Sequence, residues 1–164
     1  MAKATLRVYR QGDAADVDRV ALAAFHEFRS HYSDWPAMAA SIAQTSKLAD
    51  SGEIIVAELE ARIIGAVTYV APGRPKAAHF DPSWPIIRML VVDPAARGGG
   101  AGRALTEECI RRAQRDGCRM LALHTSPIMT IALPMYVRMG FRLLREAPPI
   151  HGVPYGVYVM QLRA

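Results

Sequence analysis

Only two cysteines, Cys109 and Cys118, occur in the 164 residues, and neither sits in a CxxC pair nor beside a histidine. That spacing excludes a disulfide framework and a cysteine metal site, and both thiols are expected reduced and partly buried. No apolar stretch runs far without a charge, so no transmembrane segment is expected, and residues 1–16 lack an apolar core of signal-peptide length. A cytoplasmic protein is the default expectation. Lys and Arg exceed Asp and Glu by 20 to 15, but the basic residues are spread along the chain and are not interleaved with aromatics in a stripe. This argues against nucleic-acid binding and leaves a small polyanionic ligand to account for the net charge of +5. Internal repeats, low-complexity tracts and linkers are absent as well. One domain over residues 1–164 is expected, and with 51% hydrophobic residues it can bury a substantial core.

Several segments read clearly. Thr5 to Tyr9 alternates as a strand, and Gly12-Asp13 leads into a helix with Val17, Val20, Ala21, Ala24, Phe25 and Phe28 on one face, Asp13 being the expected N-cap. Residues 31–35 form a polar and aromatic loop, Pro36 opens a second helix, and that helix is expected to end before Gly52. Ile54 to Glu58 and Ile63 to Val70 form a hairpin. Ala71 to Pro85 contains four prolines and reads as a loop. Ile86 to Val92 is the strongest strand. A glycine-rich turn and an amphipathic helix follow it, then a strand over 119–125, a helix over 128–139 and strands over 141–144 and 155–162, with a turn-rich stretch at 148–154.

The turn Arg97-Gly98-Gly99-Gly100-Ala101-Gly102 carries the chemistry. Glycines let the backbone approach a ligand, and the helix behind them offers free N–H groups and a partial positive charge, so phosphate is the natural guest. Arg97 and Arg103 flank the turn and can add charge-assisted hydrogen bonds. A Walker loop is excluded because Arg103 and Ala104 stand where lysine and a hydroxyl are required. A dinucleotide fingerprint fails because Leu105 replaces its last glycine and the next strand ends in His124 instead of an acid.

The run Leu90-Val91-Val92-Asp93-Pro94-Ala95-Ala96-Arg97-Gly98, with Arg97, Gly100 and Gly102 in the spacing Arg-x-x-Gly-x-Gly, resembles the central motif of the Gcn5-related N-acetyltransferase (GNAT) superfamily. Ala132 to Tyr136 with Gly140-Phe141 is similar to that family's closing helix and strand. The resemblance implies a mixed α/β fold with a mostly antiparallel seven-stranded sheet, a parallel central strand pair and about four helices. It also implies acetyl-CoA as cofactor, bound by Leu90, Val91, Val92, Arg97, Gly98, Gly99, Gly100, Ala101, Gly102 and Arg103. The activity implied is transfer of acetyl to a primary amine of a small molecule or peptide, and a homodimer would fit the family. A non-catalytic acyl-CoA sensor is the alternative.

Such chemistry needs a neutral amine, stabilisation of the developing oxyanion and a proton for the leaving thiolate. By resemblance, a backbone N–H near Leu90 polarises the carbonyl and Tyr136 is the general acid. The family often carries a carboxylate on the strand leading to the cofactor, but Ile86-Ile87-Arg88-Met89 has none. Glu27, Asp81, His79 and His124 remain as base candidates by residue type, with His124 singled out because it ends a strand where the sheet would open. An asparagine common before the closing motif is replaced by Met129. The acceptor is expected among Tyr32, Trp35, His79 and Trp84 with the His151 to Tyr155 turn, and the few acids there favour a small or partly apolar amine over a polycation. No metal is expected.

Overall fold

The computed structural model describes residues 3–163, so Met1, Ala2 and Ala164 of the expected domain lie outside the described residues. Seven strands form one sheet in the order β1-β2-β3-β4-β5-β7-β6. They are β1 Thr5–Val8, β2 Glu53–Leu59, β3 Arg62–Val70, β4 Ile86–Val92, β5 Met120–Thr125, β6 Arg142–Ile150 and β7 Val153–Gln161. Every neighbouring pair is antiparallel except β4 and β5. Four α-helices, α1 Ala14–His26, α2 Trp35–Ile42, α3 Ala101–Arg115 and α4 Ala132–Met139, cover the two faces among the described residues.

Alternation along the inner strands divides the core in two. Ile54 and Val56 of β2 pack on the α1/α2 face, whereas Ile55 and Ala57 pack under α3 and α4. Because both faces are covered, β2 and β3 read as nearly continuous apolar runs. Val17, Val20, Ala21 and Ala24 seat α1 on one face, and Leu105, Cys109 and Ala113, all 0% exposed, seat α3 on the other. The hairpin between β2 and β3 turns through Glu60 and Ala61, both at positive φ (52° and 63°), as the tightest hairpin turn requires.

Several boundaries differ from the sequence expectation: the helix expected over 128–139 begins only at Ala132 and the last strand already at Val153, and three further differences have a clear physical reason. Asp13 precedes α1 but its side chain does not cap it. The carboxylate instead accepts from the Arg7 guanidinium (2.8 and 3.0 Å) and from the Arg10 backbone N–H (2.8 Å), tying β1 to the start of the helix. Helix α2 begins at Trp35, one residue before Pro36, with Asp34 accepting from the Ala37 N–H at 3.1 Å, and ends at Ile42. The chain up to Asp50 continues as a separate 3₁₀ turn. Strand β6 runs through Pro148 and Pro149, where a turn was expected. It is an edge strand, and the two prolines fall in the register irregularity between Ala147 and Ile150, so no ladder bond is lost.

The feature that positions the site is the parallel pair. β4 and β5 are in register only at Ile86 and Ala122, then part. On the other side of β4, Ala66 pairs with Val91 and Thr68 with Arg88, which leaves one extra residue on β4. Met89 takes it up at φ 51°, a left-handed conformation that is costly for a residue with a side chain. The sheet is thereby wedged open at its centre.

Candidate active site

Two cavities meet in that wedge. A groove of about 320 Å³ runs over the start of α3 and is lined by Leu90, Val91 and Val92 of β4, by Arg97, Gly98, Gly100, Ala101, Gly102 and Arg103, and by Ala132 and Met135 of α4. A central cavity of about 350 Å³ lies between β4 and β5 and is lined by Arg88, Met89, Leu90, His124, Tyr136 and Tyr155, among others. Phe25, Leu90, Met129 and Ala132 line both, so the two spaces are continuous.

The groove is built for an anion followed by an extended chain. Gly98 and Gly100 sit at φ 89° and 83°, and Gly100 stands immediately before α3 without any side-chain cap, so the first N–H groups of the helix face the groove unclaimed. A Cβ at Gly102 would project 3.7 Å from Met135 Sδ and Val92 Cγ2, on the groove's floor. Gly99 does not line the groove. Beyond Ile86 the β4 edge that faces β5 has no strand partner, which leaves backbone groups at Leu90 to Val92 free to pair with an added chain. Arg97 is engaged by Glu27, one residue past α1, and Arg103 lies 3.7 Å from Glu107. Glu27 is thus occupied at the groove's mouth and does not line the central cavity.

In the central cavity two candidates come together. Tyr136 of α4 is 5% exposed, its ring lies edge-on to Phe141 with centroids 5.5 Å apart, and no protein group hydrogen-bonds its hydroxyl among the described residues. Burial, reinforced by the neighbouring Cys109, pushes the phenol's pKa up, so it stays protonated. His124 lies across the wedge on β5. Its Nδ1 is 3.0 Å from His79 Nε2, with the two rings stacked at 5.0 Å, and this leaves its Nε2 for the cavity. Burial above all, then the facing His79 and Arg88, lowers the His124 pKa to about 4. The imidazole is therefore neutral at pH 7.

The other residues named from sequence are placed differently. His79 does not line the cavity but backs His124, and Arg145 holds its loop by donating to the His79 carbonyl at 2.7 Å. Trp84 stacks under that same Arg145, 5.6 Å from the ring centre. Tyr32 is 5% exposed and shares a 2.6 Å hydrogen bond with Tyr155, whose ring is 5.2 Å from His124. Trp35 packs on Tyr32 and His26. These four form a layer behind the cavity wall. Asp81 is exposed on its loop and bonds Ser83. Of the expected His151 to Tyr155 turn only Tyr155 lines the cavity, and sequence reasoning missed Arg88 as a wall residue. It also missed the contribution of Ser41, Ile42 and Leu48, which close the cavity on the α2 side.

A stability consequence follows from His124. The unfolded chain binds a proton at this residue near pH 6.5, whereas the folded protein resists it until about pH 4. Unfolding free energy is therefore expected to fall as pH drops from 6.5 towards 4, by about 2 kcal/mol after allowance for partial exposure. In urea melts across that range, His124→Asn should flatten the decline. Loss from the arginine-paired carboxylates Asp13 and Asp116, whose pKa values are lowered from 3.8, belongs to a lower window.

The family model described as "Acetyltransferase (GNAT) family" matches residues 16–141, which span the groove, the wedge and the closing helix. The chain belongs to the GNAT acetyltransferase family. A mycothiol acetyltransferase of Cellulomonas flavigena is 35% identical over 112 residues, covering 64% of this chain and 32% of that protein, so this GNAT chain spans about a third of that relative's length. A GCN5-related N-acetyltransferase of Rhodopseudomonas palustris superposes with a TM-score of 0.78 at 20% identity, covering 99% of this chain and 98% of that one. A GNAT acetyltransferase of Elizabethkingia anophelis with acetyl-CoA bound superposes with a TM-score of 0.68 at 19% identity, covering 99% and 100%. The GNAT fold expected from the sequence, with its single parallel strand pair, is the fold observed.

Proposed function

We propose that this protein is an N-acetyltransferase that moves acetyl from acetyl-CoA to a primary amine of a small molecule or peptide by direct attack on the thioester. The observation that carries this reading is the continuity of the glycine groove with a cavity holding both Tyr136 and His124. Acetyl-CoA would supply the activated acetyl group. The residues fit it: two glycines at positive φ, an uncapped helix start and a free strand edge lie in the order that pyrophosphate and pantetheine need.

Each residue then has a distinct task. The first N–H groups of α3, with Arg97 and Arg103, hold the pyrophosphate. For Arg97 this means exchanging Glu27 for the phosphate oxygens. Backbone at Leu90 to Val92 would pair with the pantetheine arm, and a backbone N–H near Leu90 would polarise the thioester carbonyl. Tyr136 gives its proton to the departing sulfur. His124 accepts the proton of the attacking amine at Nε2, and this requires Nδ1–H to donate to His79 Nε2, so His79 fixes the tautomer. His79 is a positioning residue in this scheme.

The deciding experiment measures thiol release from acetyl-CoA against a panel of amines, alongside cofactor affinity by calorimetry. Saturable, amine-dependent release is expected. Tight cofactor binding without transfer to any amine would replace this reading with that of an acyl-CoA sensor.

A further inference from the structure

Three arginines line the groove, and two of them, with others on α3, are paired with carboxylates, whereas Arg138 has no such partner among the described residues. Arg97 meets Glu27, Arg103 meets Glu107, and Arg112 and Arg115 share Glu53. Arg88 differs. It lines the central cavity from β4, and no Asp or Glu lines that cavity with it. Arg88 remains exposed to solvent on the strand, the surrounding walls of the cavity alone lower its pKa, and no carboxylate or hydrogen-bonding side chain acts on it. A guanidinium keeps its charge in such surroundings, so the cavity carries one uncompensated positive charge.

Placement assigns this charge to the acceptor side. Arg88 does not line the groove over α3. Its cavity neighbours Met38, Ser41, Ile42 and Leu48 are likewise absent from the groove and come from the α2 side. Alternation along β4 from Ile86 and along β5 from its partner Ala122 puts Arg88 on the same face of the sheet as His124, whose pKa it helps to depress. A partly desolvated cation without a partner gains most from an anion that brings its own charge-assisted hydrogen bonds. The apolar wall of Phe25, Met38, Ile42, Leu48 and Ile150 adds room for a hydrocarbon side chain.

We infer that the acceptor is an amine bearing its own anionic group, an amino-acid-like zwitterion with an apolar side chain, whose carboxylate or phosphonate is bound by the Arg88 guanidinium. The inference rests on the N-acetyltransferase reading and names its substrate class. Binding the anion also offsets part of the field on His124, so the proper acceptor raises the basicity of the group that deprotonates it.

The test compares L-methionine, L-leucine and L-phenylalanine with their carboxamides and with the matching 1-aminoalkylphosphonates, as ligands of the CoA-loaded protein by calorimetry and as acceptors by thiol release. Acids or phosphonates are expected to bind about 10- to 100-fold tighter than amides. Which anion binds tighter distinguishes the two sources. Arg88→Gln should abolish the preference by raising KM, with CoA affinity unchanged and Tm unchanged or higher, and Arg88→Lys should restore part of it. Equal binding of acids, phosphonates and amides would overturn the inference, as would a preference that survives in Arg88→Gln. Anion-selective binding without any transfer would retain the Arg88 site and overturn the transferase reading instead.

Discussion

Tyr136→Phe is expected to lower kcat about 100-fold or more while leaving the CoA dissociation constant within a factor of about two. The side chain is packed by Phe141 and nearly closed from solvent, so phenylalanine fills the same space and α4 keeps its position. Only the hydroxyl is lost, and no protein group depends on it among the described residues. Because burial keeps the phenol protonated well past neutrality, the wild-type rate should show no limb from Tyr136 in the physiological range. Loss of a proton donor that acts on the leaving group alone belongs to the transition state, so kcat and kcat/KM should drop together. Single-turnover thiol release, which separates chemistry from product release, is the measurement. Unchanged turnover on the true acceptor would remove Tyr136 from the mechanism.

The second large effect is expected at the cofactor loop. Gly100→Val places a β-branched residue at φ 83°, a region such residues rarely enter, directly before the first turn of α3. The chain escapes the strain, about 2 kcal/mol, by re-forming the loop, and the N–H groups that would hold pyrophosphate then lose their common aim. CoA affinity should fall about 100-fold, read by calorimetry, with a smaller loss in Tm. Gly99→Ala is the control. Gly99 is not at positive φ, its added Cβ would meet only the Ala96 carbonyl at 3.8 Å, and it does not line the groove. An affinity change under about threefold is expected there. Equal losses in the two variants would mean that loop composition, and not the geometry at Gly100, governs binding.

How far the sequence revealed this site depends on the range of the interaction. β2, β3, β4 and β5 were legible because their apolar residues answer to local alternation and double-sided burial, and the glycine loop because backbone conformation at positive φ restricts residue choice. Tyr136 was legible only through resemblance. The His79–His124 contact was not legible at all, since it joins residues 45 positions apart through a proline-rich loop whose path is set by Arg145 and Trp84. Glu27, one of several base candidates by residue type, is drawn instead to Arg97, 70 residues away. Asp13 was misread for the same reason. A capping residue and an ion-pair partner look alike in sequence, and the outcome turned on Arg7 lying across the strand end.

The prolines of β6 have an effect beyond obscuring that strand. At the two ends of the sheet lie β1, only four residues long, and β6, whose Leu143 and Leu144 are 59% and 46% exposed. An apolar rim of this kind invites another chain to add itself as an eighth strand. Pro148 and Pro149 present no N–H to such a visitor, and the irregularity around them bends the rim away from a straight template. The residues that made β6 look like a turn thus serve colloidal behaviour: they help keep separate copies of the protein from zipping together edge to edge.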